Sequence, residues 1–172
     1  MATRFRVTKD GTISGQGLSF RCAIGRGGMR DAARKTERDG TTPVGTWSLK
    51  TVFWRADRID RPVTPLKTVP LHPDDGWCDE PGDVLYNCPV KRPYPASNEQ
   101  MWREDDVYNV VVELDHNSDP VKPNAGSAIF IHVAKPDYSA TEGCVALKLE
   151  DLLQVLEKCG KDTQIEFSDQ AG

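Results

Sequence analysis

The run from Ser127 to Ala134, which contains Ala-Ile-Phe-Ile-His-Val, constrains the fold of this chain most strongly. Its apolar residues are continuous and do not alternate with polar ones, so neither face of such a strand can lie in water. The Val-rich segment from Tyr108 to Leu114 has the same character. The two segments therefore predict two central strands of a sheet.

Weaker patterns predict further strands towards both ends of the chain. Apolar residues alternate with polar ones on both sides of a Lys9-Asp10-Gly11 turn, which predicts an early antiparallel meander. The β-branched and aromatic residues from Thr46 to Trp54 predict a strand, and Thr42-Pro43-Val44-Gly45 before it suits a type I turn. A last short strand is expected around Ile165 and Phe167.

Two segments have helical signatures. Leucines at helical spacing between Leu149 and Leu156 predict a helix that stops before Gly160, which suits the position just past a helix end. Ser97-Asn98-Glu99-Gln100 has the spacing of a capping box and predicts a short helix carrying Met101 and Trp102.

Length and composition predict a single domain over residues 1–172, rich in β-structure. The chain has 172 residues, with 14 Gly and 12 Pro scattered along it, which favours many turns over a helical bundle. A long proline-rich insertion occupies residues 55–96. Its aromatic residues, including Trp77, Tyr86 and Tyr94, predict that it folds onto the domain as an ordered segment.

The net charge argues against nucleic-acid binding, and the hydropathy argues against a membrane-spanning segment. The 26 acidic and 22 basic residues leave a net charge of -4, the wrong sign for a broad nucleic-acid-binding face. No apolar run approaches the roughly 20 residues of a membrane span. The amino end lacks the apolar stretch of a secretory signal, so we expect a cytoplasmic protein, a signal missing from this sequence, or another export route.

The five cysteines form an odd set without a CxxC pair, so at most four can pair internally. Cys78 and Cys88 are close enough in sequence to form a disulfide. Together with His72 they are also conceivable zinc ligands, but their irregular spacing argues against a metal site, and none is predicted. At least one thiol therefore remains free, buried as a small hydrophobe or reactive.

The residues that carry the chemistry are a histidine and a cysteine on either side of one loop. His132 closes the buried strand, and an 11-residue connection leads to Cys144. Such a loop can fold back and bring imidazole and thiol together, which is what a thiol nucleophile needs. The alternative is a hydrogen-bonded core histidine and an inert buried thiol, and the spacing leaves both open.

Gly143, directly before the cysteine, supports the catalytic interpretation. A residue without Cβ lets a substrate carbonyl approach the backbone closely. The N–H groups of Gly143 and Cys144 are then candidates to hold the oxyanion formed when a thiolate attacks that carbonyl.

The stretch from His132 to Leu147, with Thr42-Pro43-Val44-Gly45 upstream, resembles the L,D-transpeptidase catalytic domain family of the YkuD type. The family signature is a strand-end His followed by Ser/Thr-His-Gly-Cys. The resemblance covers the whole chain and implies a mainly β, sandwich-like domain with one or two short helices. It implies that Cys144 is the nucleophile, that His132 is the base, and that the backbone carbonyl of Val133 orients the imidazole.

The sequence departs from the family pattern in three ways. Glu142 stands where the family usually has His, Ala146 where it usually has Arg or Asn, and the interval of 12 residues from His132 to Cys144 is shorter than usual. A charge on Glu142 close to the thiol would oppose thiolate formation. We therefore expect its side chain to point away or to pair with a base, and we interpret the chain as a compact, divergent branch.

Further residues are candidate substrate contacts. His116 and Asn117 end the strand before the catalytic one and reach the same pocket if the two strands are neighbours; a plain turn is the alternative. The remaining candidates are Tyr138, Thr141 and Arg103. Four bases upstream are expected to form a solvated face or to meet the carboxylates of a peptide: Arg30, Arg34, Lys35 and Arg38.

The resemblance implies a cysteine acyltransferase that cross-links peptidoglycan stem peptides through a thioester, without a cofactor, in the periplasm or cell envelope. Carbapenem β-lactams are implied as covalent inhibitors. Hydrolysis of the same thioester would instead make an L,D-carboxypeptidase or endopeptidase. Two rivals remain open: a cell-wall binding module without turnover and a cytoplasmic cysteine hydrolase.

Overall fold

A computed structural model describes residues 2–172. Strands dominate the fold, with one α-helix and one short 3-10 turn at Ala32–Arg34. The strands are β1 (Arg4–Thr8), β2 (Thr12–Gly15), β3 (Leu18–Arg21), β4 (Met29–Asp31), β5 (Thr42–Trp54), β6 (Lys67–Pro70), β7 (Asp75–Cys78), β8 (Pro89–Lys91), β9 (Asn98–Gln100), β10 (Val110–Leu114), β11 (Phe130–Val133), β12 (Val145–Leu147) and β13 (Gln164–Ser168); the helix is α1 (Leu149–Glu157).

Ten of these strands form one large sheet. Its order is β12-β11-β10-β5-β13-β1-β2-β3, and β4 and β6 also pair with the long strand β5. The chain just after β3 returns to β12 through an antiparallel bridge between Ala23 and Ala146, so the sheet is nearly closed. This mainly β architecture, including the early meander of β1, β2 and β3, confirms the predicted fold class.

The two strands predicted to be central, β10 and β11, are neighbours near one end of the sheet order, and β12 lies beyond β11. β11 is antiparallel to β10 and parallel to β12. All four residues of β11 are buried. Ile131 and Val133 face the main core, and each fully buried side chain of this kind contributes about 1.5–3 kcal/mol to stability. By alternation, Phe130 and His132 project to the opposite face.

The helix α1 packs its apolar side into the main core. Leu152, Val155 and Leu156 are buried, as the leucine spacing predicts. Glu150 and Asp151 lie in its first turn, where negative charge is favourable. The helix ends at Glu157, with Lys158 as its C-cap. Gly160 therefore lies further along the chain than the first position after the helix, where the sequence pattern placed it.

The proline-rich insertion at 55–96 is ordered and packs onto the domain. It contributes β6, β7 and β8, and β7 lies between β8 and β9 in a separate three-stranded sheet. Trp77 on β7 meets the ring of Phe130 edge-on at 5.0 Å. The insertion therefore covers the face of β11 that carries His132, and it holds β9 beside that face.

The predicted helix at Ser97–Gln100 is wrong. Asn98–Gln100 form β9 and pair with β7, from Gly76 to Cys78. The Ser97 hydroxyl donates to the carboxylate of Asp79 (2.6 Å) and caps no helix. Strand pairing with a distant segment therefore overrides the local capping signal.

The predicted turn at Thr42–Gly45 is also wrong, because these residues begin β5. They pair in parallel with β4 at Met29–Asp31. Gly45 has φ +156°, and a Cβ there would lie 2.6 Å from the Trp47 ring. The glycine serves close packing within a strand and does not close a turn.

All five cysteines are free thiols, so the proposed Cys78–Cys88 disulfide does not form in this structure. Within residues 2–172, no group of three or more His, Cys, Asp or Glu is placed to hold a metal ion. Over the same residues, no helix is long and apolar enough to cross a membrane.

Candidate active site

The topology brings Cys144 and His132 to one face of the sheet. In the parallel pair of β11 and β12, His132 lies opposite Ala146, and Ile131 lies opposite Val145. Because alternate residues share a face, His132, Ala146 and Cys144 project to the same side, with Cys144 diagonal to His132. Both side chains line one cavity of about 630 Å³.

The Cys144 thiol is bonded to backbone groups of the segment that leads into β11. Its Sγ donates to the carbonyl of Ala128 (3.1 Å) and accepts from the N–H of Phe130 (3.3 Å). Burial, and secondly the negative charge of Glu99, raise the pKa of Cys144 to about 12. The sulfur is therefore a protonated thiol at neutral pH, and its hydrogen-bond partners in this structure do not include the imidazole.

The imidazole of His132 is held in one orientation. Its Nδ1 lies 3.0 Å from the carbonyl oxygen of Val133, so Nδ1 carries the proton and Nε2 is free to accept one. Burial lowers the pKa of His132 to about 4, which outweighs the opposing effect of the Val133 carbonyl. At neutral pH the site thus holds a neutral base and a neutral thiol.

The glycine of the motif is required by close packing. Gly143 has φ +144°, and a Cβ there would lie 2.7 Å from the carbonyl oxygen of Thr41. Its carbonyl accepts from the hydroxyl of Thr42 (2.9 Å). Thr41 and Thr42 thus hold the backbone just before the cysteine, a role that the sequence interpretation missed.

Thr141 ties the motif together from within. Its hydroxyl donates to the carbonyl of Cys144 (2.6 Å) and accepts from the N–H of Gly143 (3.1 Å). The Gly143 N–H therefore already donates a hydrogen bond within the motif. Of the two candidate oxyanion donors, the Cys144 N–H is the one without this competing bond.

A backbone segment secures the motif on the side away from β11. Ala23 and Ala146 exchange two backbone hydrogen bonds, of 2.7 and 3.0 Å. Thr141 donates to Ile24 (3.0 Å) and accepts from Arg26 (2.8 Å), also through the backbone. Residues 23–26 therefore hold the backbone at Thr141 and at Ala146, on either side of Cys144.

Lys35 is a buried cation at the same cavity. Its ammonium donates to Asp39 and to the Thr41 carbonyl, both at 2.8 Å. Burial opposes ionisation of Asp39, but hydrogen bonds from Lys35, Thr36 and Thr41 hold its pKa well below the usual range. The solvated face expected for the upstream bases is therefore wrong for Lys35, because a buried carboxylate and a carbonyl compensate its charge.

Glu142 pairs with a base. Its carboxylate lies 2.9 Å from the Arg26 guanidinium, and both side chains are largely exposed. This confirms the expectation that the charge beside the nucleophile is directed away or paired.

The structure separates the predicted substrate contacts into two groups. Thr141 and Arg103 line the cavity, and Arg103 is held by both carboxylate oxygens of Asp105 (2.6 and 2.8 Å). His116, Asn117 and Tyr138 are not among the lining side chains. Their placement is as follows: His116 is buried with its ring 4.9 Å from Trp47, Asn117 bonds backbone groups of Lys122 and Gly126, and Tyr138 lies under Arg21 at 4.3 Å.

A tyrosine and a glutamate at the cavity were missed as site residues. The buried Tyr108 lies edge-on to the His132 ring at 5.3 Å, and its hydroxyl donates to the carboxylate of Glu99 on β9. Burial raises the pKa of Glu99 despite this hydrogen bond. Glu99 lies within the segment that the sequence predicts to begin a short helix, and only the pairing of β9 with β7 reveals its position.

These features define a nearly closed β-domain in which a cysteine and a histidine share one cavity. The family model of the L,D-transpeptidase catalytic domain (YkuD) matches residues 2–166. The chain belongs to this family.

Two solved structures are similar in fold to this chain. They are the helical cell shape determining protein Pgp2 from Campylobacter jejuni and a variant of it, with TM-scores of 0.48 and 0.49 and sequence identities of 17% and 19%. The alignments cover 99% of this chain and 49% and 48% of those chains, so this chain spans about half their length. No match was found among curated proteins.

Proposed function

We propose that this protein is a cysteine-dependent L,D-transpeptidase that acts on peptidoglycan stem peptides in the cell envelope. One observation carries the proposal: His132 on β11 and Cys144, directly before the parallel neighbour β12, line the same cavity of a chain that belongs to the L,D-transpeptidase catalytic domain family. No cofactor enters the proposed reaction.

In the first half-reaction, Nε2 of His132 takes the thiol proton as Cys144 attacks the carbonyl carbon of an L,D peptide bond. The C–N bond breaks, the imidazolium returns its proton to the leaving amine, and a thioester remains on the enzyme. Because the resting thiol bonds Ala128 and Phe130, substrate entry must turn the sulfur towards the imidazole.

The oxyanion of this step needs hydrogen-bond donors that are already in place. The N–H of Cys144 is the main donor in our proposal. The N–H of Gly143 would assist only if it leaves the Thr141 hydroxyl, to which it donates at 3.1 Å. Val133 contributes through its carbonyl, which fixes the tautomer of His132.

In the second half-reaction, an amine of another stem peptide attacks the thioester and forms a cross-link. Water in place of the amine would give an L,D-carboxypeptidase or endopeptidase at the same site. Thr141 and Arg103, which line the cavity, are the proposed substrate contacts. Contacts by His116, Asn117 and Tyr138 remain predictions, as does a role for residues 55–96 in shaping the substrate groove.

A carbapenem tests the nucleophile directly. The intact mass of the wild-type protein should increase by the mass of one carbapenem, because the strained amide acylates an activated thiol. Cys144→Ala should gain nothing, and Cys88→Ala, which removes a cysteine that does not line the cavity, should behave like the wild type. Addition of the drug to both alanine variants would contradict the assignment of Cys144.

Product analysis tests the reaction. Incubation with purified disaccharide-peptides followed by mass spectrometry should give dimers that have lost a D-amino acid. Monomers that have lost it would indicate hydrolysis. Unchanged peptides would contradict catalysis.

A cell-wall binding module without turnover is the second candidate. Burial raises the pKa of Cys144 to about 12, and backbone groups occupy the thiol, which are properties of an inert cysteine. Binding of intact disaccharide-peptides without acylation or turnover would support this alternative.

A further inference from the structure

Some of the acidic side chains that line the cavity form ion pairs with arginines, and others do not. Glu142 pairs with Arg26 at 2.9 Å, and Asp79 lies 3.9 Å from Arg38. Glu37 and Glu99 have no cationic nitrogen within 4.0 Å in residues 2–172, and of these two only Glu99 acts on the charge state of Cys144. Arg103, whose charge acts on Glu99, is engaged by both oxygens of Asp105.

Glu99 is held in a defined position beside the reacting groups. β9 places it on the cavity wall, and the hydroxyl of Tyr108 donates to one of its carboxylate oxygens. The same Tyr108 ring packs against His132. The charge of Glu99 is close enough to Cys144 to raise the pKa of the thiol. Burial raises the pKa of Glu99, so its ionised form is costly in this position even with Arg103 nearby. A carboxylate with no cation within 4.0 Å would therefore be stabilised by a cationic ligand group.

We propose that Glu99 binds the ammonium group of the acceptor and delivers it to the thioester on Cys144, an inference that rests on the proposed transpeptidase function. Tyr108 holds one carboxylate oxygen, and the other receives the ammonium. The ligand class is a peptide with a primary amine, and Glu99 thereby favours transfer over hydrolysis.

The proposed step balances in protons. The acceptor ammonium gives one proton to the Glu99 carboxylate and becomes a neutral amine, whose lone pair attacks the thioester carbon. The C–S bond breaks as the amide C–N bond forms, and the second proton of the amine passes through His132 to the departing sulfur. Glu99 then releases its proton to water, and no further reactant is needed.

The experiment separates acylation from transfer. A disaccharide-tetrapeptide donor acylates the enzyme, rapid-quench mass spectrometry measures the acylation rate, and the ratio of transfer to hydrolysis products measures acceptor use. Two acceptors are compared: a stem peptide with a primary ammonium, and hydroxylamine, which is uncharged at neutral pH. Glu99→Gln should acylate at least as fast as the wild type. Its transfer-to-hydrolysis ratio with the charged acceptor should fall about 10-fold to 100-fold, and with hydroxylamine it should not change.

Two further variants test whether the effect is specific to Glu99 and whether it survives if Glu99→Gln does not fold. Glu142→Gln neutralises a carboxylate at the same cavity that has its own cation, so it should keep the wild-type preference for the charged acceptor. Tyr108→Phe keeps the ring against His132 and removes the hydroxyl that holds Glu99, so its ratio should fall several-fold. This second variant carries the test if Glu99→Gln does not fold.

The outcomes distinguish this inference from the function on which it rests. A wild-type enzyme that is never acylated at Cys144 overturns both. An enzyme that is acylated normally, but whose transfer ratio is the same in the wild type and Glu99→Gln, overturns the role of Glu99 alone. An equal loss with hydroxylamine and the charged acceptor overturns it as well, because recognition of an ammonium cannot affect an uncharged nucleophile.

Discussion

His132 is bonded to its own neighbour: Nδ1 lies 3.0 Å from the carbonyl oxygen of Val133. This hydrogen bond involves no other side chain, so it is set by the backbone of β11, and the Tyr108 ring packs edge-on against the same imidazole. Because Nδ1 is the protonated nitrogen, Nε2 is the one that can accept a proton, and it is the base in the proposed mechanism.

Replacing this base should abolish acylation without unfolding the protein. His132→Gln should lower the rate of Cys144 acylation by about 100-fold to 10,000-fold, the usual contribution of a general base. The rate of carbapenem addition, followed by intact mass, is the measurement. His72→Gln is the matched control, because His72 is exposed and lies outside the cavity. Equal rates in the two variants would remove His132 from the mechanism.

Gly143 should tolerate no side chain. In Gly143→Ala the new Cβ would lie 2.7 Å from the Thr41 carbonyl at φ +144°, so we expect a loss of roughly 1–3 kcal/mol of unfolding free energy. Urea denaturation measures it. Gly28→Ala is the control, since Gly28 also has positive φ (+74°) but open space around its Cβ position. A loss no greater than that of the control would mean that contact with Thr41 is unimportant.

Breaking the buried ion pair beneath the motif should be costly. Lys35→Met leaves the Asp39 carboxylate with Arg30, at 3.8 Å, as its remaining cationic partner and should cost roughly 1–3 kcal/mol. Because the folded pKa of Asp39 is depressed, its contribution to stability is present above the unfolded pKa of about 3.9 and is lost as the pH falls below it. The penalty of Lys35→Met, measured by urea denaturation, should therefore shrink below pH 4. A penalty that does not depend on pH would contradict this account.

Two buried histidines should make the fold sensitive to mild acid. Burial lowers the pKa of His116 and of His132 from 6.5 to about 4. Their pKa values are lower in the folded state than in the unfolded state, so the unfolded state binds more protons between pH 6.5 and 4. The free energy of unfolding therefore decreases as the pH is lowered through this range. Each group accounts for a loss on the order of 3 kcal/mol across it. His116→Gln should lose less unfolding free energy than the wild type between pH 7 and pH 5, and an identical loss would count against a buried neutral His116.

The charge of Glu99 should be measurable at the thiol. Burial is the larger cause of the raised pKa of Cys144, and the Glu99 carboxylate is the second. Glu99→Gln removes that negative charge and should shift the pH midpoint of Cys144 alkylation downwards. The rate of iodoacetamide labelling at a series of pH values gives the midpoint. Glu142→Gln, whose carboxylate is already paired with Arg26, should shift it less, and equal shifts would show that Glu99 has no particular influence.

The sequence predicted the parts of the fold that depend on local pattern. The continuous apolar residues of β10 and β11 could only be buried on both faces, and the leucine spacing of α1 fixed its apolar side. The prediction of Cys144 and His132 as the reacting pair came from the resemblance to the family, since their spacing alone favours an inert pair.

The errors arose where distant segments decide the outcome. Ser97–Gln100 has a capping signal, but its backbone pairs with β7 across the chain. Lys35 looked like a solvated base, and only the fold shows that Asp39 and the Thr41 carbonyl compensate its burial. No local pattern could place Glu99 beside Cys144, because that position depends on the packing of the insertion.

The bridge between Ala23 and Ala146 limits how a peptide can reach the thiol. β12 has β11 on one side, and on its other side Ala23 takes up both backbone hydrogen-bonding groups of Ala146. A substrate thus finds no open strand edge beside Cys144 and cannot bind by extending the sheet. If the proposed function holds, the peptide has to approach across the face of the sheet and be recognised through its side groups and termini, which suits a branched peptide better than a long extended chain.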